Sequence, residues 1–291
     1  MPDRRSWRYF VSFLDRIAAC APPETSRYRT FRVDGIELGR VKDGFAAALG
    51  NFPDVFSVSG DGVELAEGLS GFEQRTKAVD RVSRKLAERR VIRGWREEKF
   101  PVATSFKSPA LFHLERAAVP LFGVRAYGVH MNGFLGAGAG MKMWIGRRGL
   151  DRLMAPGKLD QIVAGGQPAG LSPRQNLIKE SAEEASIPAE LAGKAIAVGG
   201  ISYCMERAEG LRRDLLFNFD LELPADFEPV NNDGEIAEFH LWPIEQVIET
   251  VRDTDEFKFN CSLVVIDFLI RHGFIEPDHA DYAELVRGLH G

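Results

Sequence analysis

Cysteine is scarce in this chain. Its 291 residues include three, Cys20, Cys204 and Cys261, far apart and odd in number. No Cys-x-x-Cys pair and no Cys/His spacing of a zinc site occurs, and no disulfide framework follows. A reducing cytoplasm is the setting this implies. Histidine is equally unhelpful to a metal reading: His113, His130, His240 and His272 have no pair at ligand spacing and read as packed or surface residues. No apolar run approaches the length of a membrane span. Arg8, Asp15 and Arg16 interrupt any h-region of an N-terminal signal. Nor is there a block of one charge. The formal net charge is −5, and the basic stretch from Arg75 to Arg96 is interspersed with acids, which suits a solvated helix face. A nucleic-acid partner, which would need clustered Lys and Arg, and a membrane partner are therefore not expected.

What remains is an ordinary globular composition, 45% apolar and 27% charged. The length suggests two domains. Trp7, Phe10, Val11, Leu14, Ile17 and Ala18 recur at helical spacing, predicting an amphipathic helix over 7–20 that ends before Pro22-Pro23. Arg29 to Arg40 reads as a hairpin turning at Asp34-Gly35, and Val55 to Leu65 as a second turning at Gly60-Asp61-Gly62. Helical patterns cover Phe45–Leu49 and 73–90. From about residue 121 the pattern changes. Strands are predicted over 125–135, 142–147, 195–205, 212–222 and 235–242, and helices over 243–252, 260–272 and 277–290. This gives an α/β (α+β) architecture: an accessory α+β domain over 1–120 and a mixed-sheet α/β/α sandwich over 121–291. Gly136, Gly138 and Gly140 precede a strand pattern rather than a helix, so they suit a hairpin connection and not a dinucleotide loop.

The segment from Gly165 to Ile187 carries the chemistry. Ser172 can cap a helix, Pro173 fits its first position, and Gln175 sits where a capping box places Glu or Gln. At about 100° per residue, Glu180, Glu183 and Glu184 fall on one side, and Leu177, Ile178, Ala182 and Ala185 on the other. Three crowded carboxylates repel unless a cation neutralises them. Oxygen ligands suit Mg²⁺ or Mn²⁺, which also bind phosphate oxygens. Gly165 and Gly166 let backbone approach a substrate closely. The pattern points to a small-molecule diphosphate as substrate.

The segment resembles the signature of Nudix hydrolases: Gly, five residues, Glu, seven residues, Arg-Glu, apolar, any, Glu-Glu, any, Gly, apolar. Lys179-Glu180 stands at Arg-Glu, Glu183-Glu184 at Glu-Glu, and Ile187 at the final apolar position. Leu171 replaces the first Glu, the loop is one residue short, Ser181 replaces the apolar residue and Ser186 the late Gly. The resemblance implies that Glu180, Glu183 and Glu184 bind metal and that Lys179 steadies a glutamate. Glu235, in the turn after Asn231, is the candidate for the further carboxylate such enzymes bring from a later loop; an exposed turn residue is the alternative.

Residues 115–134, 156–166, 178–188, 231–247 and 256–275 further resemble the Nudix branch related to the N-terminal part of fungal thiamine pyrophosphokinase. That branch implies thiamine diphosphate and its oxidised analogues as substrates, hydrolysed to the monophosphate and phosphate. His130 and Asn132, inside one of these stretches, are candidates to face the substrate. The accessory domain is expected to close the pocket or to form a homodimer. Two other readings stay open: a Nudix hydrolase for nucleotides or nucleoside diphosphate sugars, and a Nudix scaffold that only binds.

Overall fold

The computed structural model describes residues 12–60 and 62–290. The part of the predicted helix before residue 12, and Asp61 of the second hairpin turn, lie outside them. The first stretch of chain forms helix α1 (Phe13–Ala19), strands β1 (Tyr28–Val33) and β2 (Ile36–Lys42), helix α2 (Asp43–Leu49), strands β3 (Phe56–Val58) and β4 (Gly62–Leu65), helix α3 (Gly71–Glu88), strands β5 (Lys99–Val102) and β6 (Phe112–Glu115), and helix α4 (Val119–Phe122). Asp34 and Gly35 both take positive φ, 51° and 74°. That pair of left-handed residues matches the twist of the β1–β2 hairpin. The sheet runs β2-β1-β4-β3, and β5 pairs separately with β6.

The core of this unit is aromatic. Phe122 stands edge-on to Phe31 at 5.0 Å and to Phe45 at 5.1 Å, and Phe31 meets Phe112 at 6.2 Å. All four are buried, each contributing about 1.5–3 kcal/mol. Helix α4 belongs to this core, so the first unit's packing runs a few residues beyond 120, to Ala126. On α3, Val79, Val82 and Leu86 face inward. Its arginines meet nearby acids: Arg84 bonds Asp80 and Glu97, each at 2.9 Å. The arginines of α3 are thus paired, while Arg93 and Arg96 of the same basic stretch lie beyond the end of the helix.

The second stretch forms β7 (Arg125–Leu135), β8 (Lys142–Arg148), β9 (Leu159–Gln161), β10 (Val163–Gly166), α5 (Pro173–Ala185), α6 (Ala189–Ala192), β11 (Ile196–Arg207), β12 (Gly210–Glu222), β13 (Ile236–Pro243), α7 (Ile244–Asp253), α8 (Phe259–Arg271) and α9 (Tyr282–His290). The sheet order is β11-β12-β7-β8-β13, mixed because β7 and β12 run parallel while the other pairs are antiparallel. β7 and β8 pair only through Gly133–Leu135 and then splay. Into the wedge come β10, on β7 at Gly128–Met131, and β9, on β8 at Ile145–Arg147. One face buries Val129, Met131, Phe219 and Leu221 with Leu177 and Ala185 of α5. The other buries Met143, Ile145 and Leu216 with α7 and α8. Helices on both faces of a mixed sheet give the expected α/β sandwich. No helix among the described residues is long and apolar enough to cross a membrane.

Candidate active site

Helix α5 begins where its local chemistry dictates. Ser172 Oγ accepts from the Gln175 N–H at 3.2 Å, and Gln175 Oε1 accepts from the Ser172 N–H at 2.9 Å. Such a cap is worth about 1 kcal/mol. Asn176 Nδ2 donates to the Gly166 carbonyl at 2.8 Å and ties the first turn to β10. The helix ends at Ser186, whose φ of 55° is left-handed. Ser there costs about 1–2 kcal/mol. Its hydroxyl offsets this by donating to the Val230 carbonyl and accepting from Asn232 Nδ2, both at 2.7 Å. Asn232 also donates to the Ala182 carbonyl at 3.0 Å. These bonds dock the 231–235 turn on the last turn of α5.

The three glutamates do not share one exposed face. Glu184 is buried and Glu183 exposed, with Glu180 between; Ser181 is buried and Ala182 exposed, the reverse of the expected packing. The tilt of α5 against β10 decides this. Glu184 Oε2 accepts from the Ala164 N–H at 2.7 Å. Glu180 packs on Gly165 so closely that a Cβ there would come within 2.5 Å of its Cγ. Glycine is required at this contact. Lys179 bonds Glu180 at 3.2 Å and also Glu183, which offsets their repulsion. Burial works against the Lys179 ammonium, but the bonds to Glu183 and Glu180 outweigh it and hold its pKa above the ordinary value. Burial pushes the Glu180 carboxyl up despite Lys179, and pushes Glu184 up well above the usual range. Glu184 forms no ion pair with a basic side chain among the described residues. A buried carboxylate held by one backbone N–H, with oxygen donors beside it, fits a hard divalent cation.

From this end a cleft of about 410 Å³ runs between the two units. Ala164, Gly165 and Gly166, against which α5 packs, line it together with Glu235, Arg207, Arg212 and Asp214. The first unit contributes Arg93, Arg96 and Arg116; the second contributes Arg148, Arg207, Arg212 and Lys258. Among the lining residues Glu209, Asp214 and Glu235 oppose them, and Asp160 and Glu98 pair with Arg148, Lys258 and Arg116 from outside the lining, so the positive surplus that favours an anion rests on Arg93, Arg96 and Arg207. Glu235 is ion-paired to Arg152, and its backbone N–H donates to Asp233 Oδ1 at 2.7 Å.

Beneath the cleft lies a buried carboxylate. Asp160 accepts from Arg148 at 3.0 Å, Lys258 at 3.1 Å, the Cys261 thiol at 2.7 Å and the Gln161 N–H at 3.0 Å. Burial works against the Asp160 carboxylate, but Lys258 and Arg148 outweigh it and hold its pKa well below the carboxylate range. His130, Asp160 and Cys261 each place a ligand-type atom within 4.8 Å of the others. Two cations already satisfy that carboxylate, so the set does not fit a metal ion. His130 does line the cleft, with Nδ1 on Gln161 Oε1 at 2.8 Å. Asn132 does not: its amide donates to Asp220 at 2.9 Å, in a network with Arg271 and His272. Asp160, Lys258, Arg148 and Arg116 escape sequence reasoning, since each stands alone in its segment. The one hint is resemblance: Arg116, Asp160 and Lys258 fall inside the stretches 115–134, 156–166 and 256–275, whereas Arg148 falls in none.

His130 sets a pH limit. Burial first, then Lys258, pushes its imidazole down to about 4. The unfolded ring takes a proton near 6.5 and the folded one only near 4, so this stability is full above the former and lost as pH falls between them. The loss should be about 3 kcal/mol. Urea unfolding at about pH 7.5 and about pH 4.5 should show a larger drop for the parent than for His130→Asn. Equal drops would refute the assignment.

A capped acidic helix against a glycine strand, at the end of a cationic cleft on a mixed sheet, defines a phosphoanhydride hydrolase. Relatives settle which one. The chain is 43% identical to Nudix hydrolase 24, chloroplastic, from Arabidopsis thaliana over 283 residues, 96% of this chain and 78% of that protein. It is 42% identical to Nudix hydrolase 20, chloroplastic, of the same plant over 290 residues, with the same coverage. The chain belongs to the Nudix hydrolase family and acts on diphosphate-containing substrates, and enzymes of that family use divalent metal ions. A family model described as a domain of unknown function (DUF4743) matches residues 12–126. The solved Nudix domain of Shewanella oneidensis NrtR complexed with ADP ribose has a TM-score of 0.39 at 12% identity, covering 50% of this chain and 86% of that one. That match is too loose to transfer a residue's role.

Proposed function

We infer that the chain hydrolyses thiamine diphosphate and its oxidised analogues to the monophosphate and phosphate, with Mg²⁺ or Mn²⁺ as the metal. The observation that carries this is the placement of Glu180 and Glu184 against Gly165 and Ala164 where the cationic cleft ends. Glu180, Glu183 and Glu184 would hold the ion, whose chemistry is to offset phosphate charge and acidify water. Glu235, on the cleft wall, would take the proton of the attacking water as its oxygen bonds to the terminal phosphorus and the bridging P–O bond breaks, releasing the monophosphate. The cleft cations favour the diphosphate, and the five resembling stretches favour a thiamine-type leaving group. The three free cysteines suit a reducing compartment such as the cytoplasm.

Phosphate release from oxidised thiamine diphosphates, measured beside a panel of nucleotides and nucleoside diphosphate sugars, tests the substrate. We expect kcat/KM at least about tenfold higher for the thiamine compounds, the discrimination a shaped pocket supplies. Faster turnover of any nucleotide would overturn the choice. No metal-dependent turnover of any diphosphate would leave a binding scaffold.

A further inference from the structure

Residues 12–126, which the family model of unknown function matches, reach the end of the cleft at Gly166. Ribbon β5–β6 stands over the strand that carries Gly165 and Gly166, and the Lys99 carbonyl accepts from the Ala169 N–H at 3.0 Å. Arg116 follows β6 directly. Its backbone N–H donates to the Glu98 carbonyl at 2.9 Å, and the Glu115 side chain caps the short 3-10 turn it begins. The guanidinium is held as firmly. Nη1 bonds Glu98 Oε2 at 2.7 Å, and the plane lies over the Phe100 ring, 5.8 Å from its centroid. A Cβ placed on Gly166 would be 3.4 Å from Nη2 and 3.3 Å from Cζ. The group thus lies along the backbone beside Glu180. Its charge acts on that carboxyl, after burial, Lys179 and Glu183. Nη2 has no acceptor among the described residues.

We propose that Arg116 is a substrate-binding residue whose Nη2 edge, presented across Gly166, takes a non-bridging oxygen of the diphosphate. Residues 12–126 then complete the active site rather than form a separate module. Arg93 and Arg96 extend the same wall outward, neither side chain forming an ion pair among the described residues, while the Arg96 backbone N–H donates to Glu115 Oε1 at 2.8 Å. A planar guanidinium anchored on one edge and free on the other suits phosphate better than a lysine ammonium does. The proposal rests on the diphosphate-hydrolase reading of the site.

The test separates binding from architecture by breaking one ion pair from either side. Arg116→Ala removes the phosphate donor; Glu98→Gln keeps the donor and an oxygen to accept from Nη1 but removes the competing charge. Binding of methylenediphosphonate with Mg²⁺, by calorimetry on the full chain, should weaken about tenfold or more in Arg116→Ala. It should recover in part in Arg116→Lys and on adding guanidinium to the alanine variant. In Glu98→Gln it should be unchanged or tighter. kcat/KM for thiamine diphosphate should follow the same order. Equal weakening in Arg116→Ala and Glu98→Gln would make the pair structural and overturn the proposal. So would unchanged diphosphonate binding in Arg116→Ala. If the parent binds diphosphonate through Arg116 yet hydrolyses no diphosphate, the hydrolase reading fails while the Arg116 assignment stands.

Discussion

Glu183→Gln and Glu184→Gln should each lower metal-dependent phosphate release by about 10²–10⁴-fold, the several kcal/mol of charge stabilisation that the ion they would hold supplies. The two changes should differ in stability. Glu183 is exposed and bonded only to Lys179, so its neutralisation should leave unfolding within about 0.5 kcal/mol of the parent. Glu184 is buried without a basic partner among the described residues. Gln there keeps an acceptor for the Ala164 N–H and replaces a buried charge with a neutral amide, so the variant should be at least as stable as the parent. Loss of activity with retained stability is what a site kept for function shows. Phosphate release with and without Mg²⁺, together with urea unfolding of each variant, checks both halves. Parental turnover in both would remove the glutamates from the mechanism.

The start of α5 was legible because a cap is local: Ser172, Pro173 and Gln175 supply their partners within one turn. So was the β1–β2 hairpin, since Asp34-Gly35 fixes its own backbone. The burial of Glu184 was not. Helical spacing places the glutamates relative to one another, but which of them turns inward depends on how α5 lies against β10. Strands β9 and β10 escaped for a related reason. LDQ and VAGG are too short and too poor in apolar alternation to announce themselves, and they exist because β7 and β8 splay and leave a wedge. β5 and β6 are equally short, and Pro101 in KFPV argues against a strand unless it is an edge. The cleft was invisible altogether. Its arginines come from both units and meet only after the chain folds.

Asp160→Asn should be the most destabilising single change in this region. The carboxylate is almost fully buried, and it neutralises two side chains that are nearly as buried, Arg148 at 8% and Lys258 at 10% exposure. Asparagine keeps the shape but leaves both cations without their counter-charge, a defect that typically costs about 3–5 kcal/mol. Arg148 retains its bond to the Met154 carbonyl at 3.2 Å, which tempers the loss on that side. Lys258 has no second bond from its ammonium among the described residues, so most of the penalty should fall there. A double-variant cycle isolates it: adding Lys258→Met to Asp160→Asn should restore part of the lost stability, where independent sites would add. Urea unfolding at neutral pH of the parent, both single variants and the double variant measures the cycle. A loss under about 1 kcal/mol for Asp160→Asn would mean that water in the cleft solvates the cations unaided. The stronger the measured coupling, the more firmly Asp160 fixes Arg148 and Lys258 as the cationic floor on which an anion must sit.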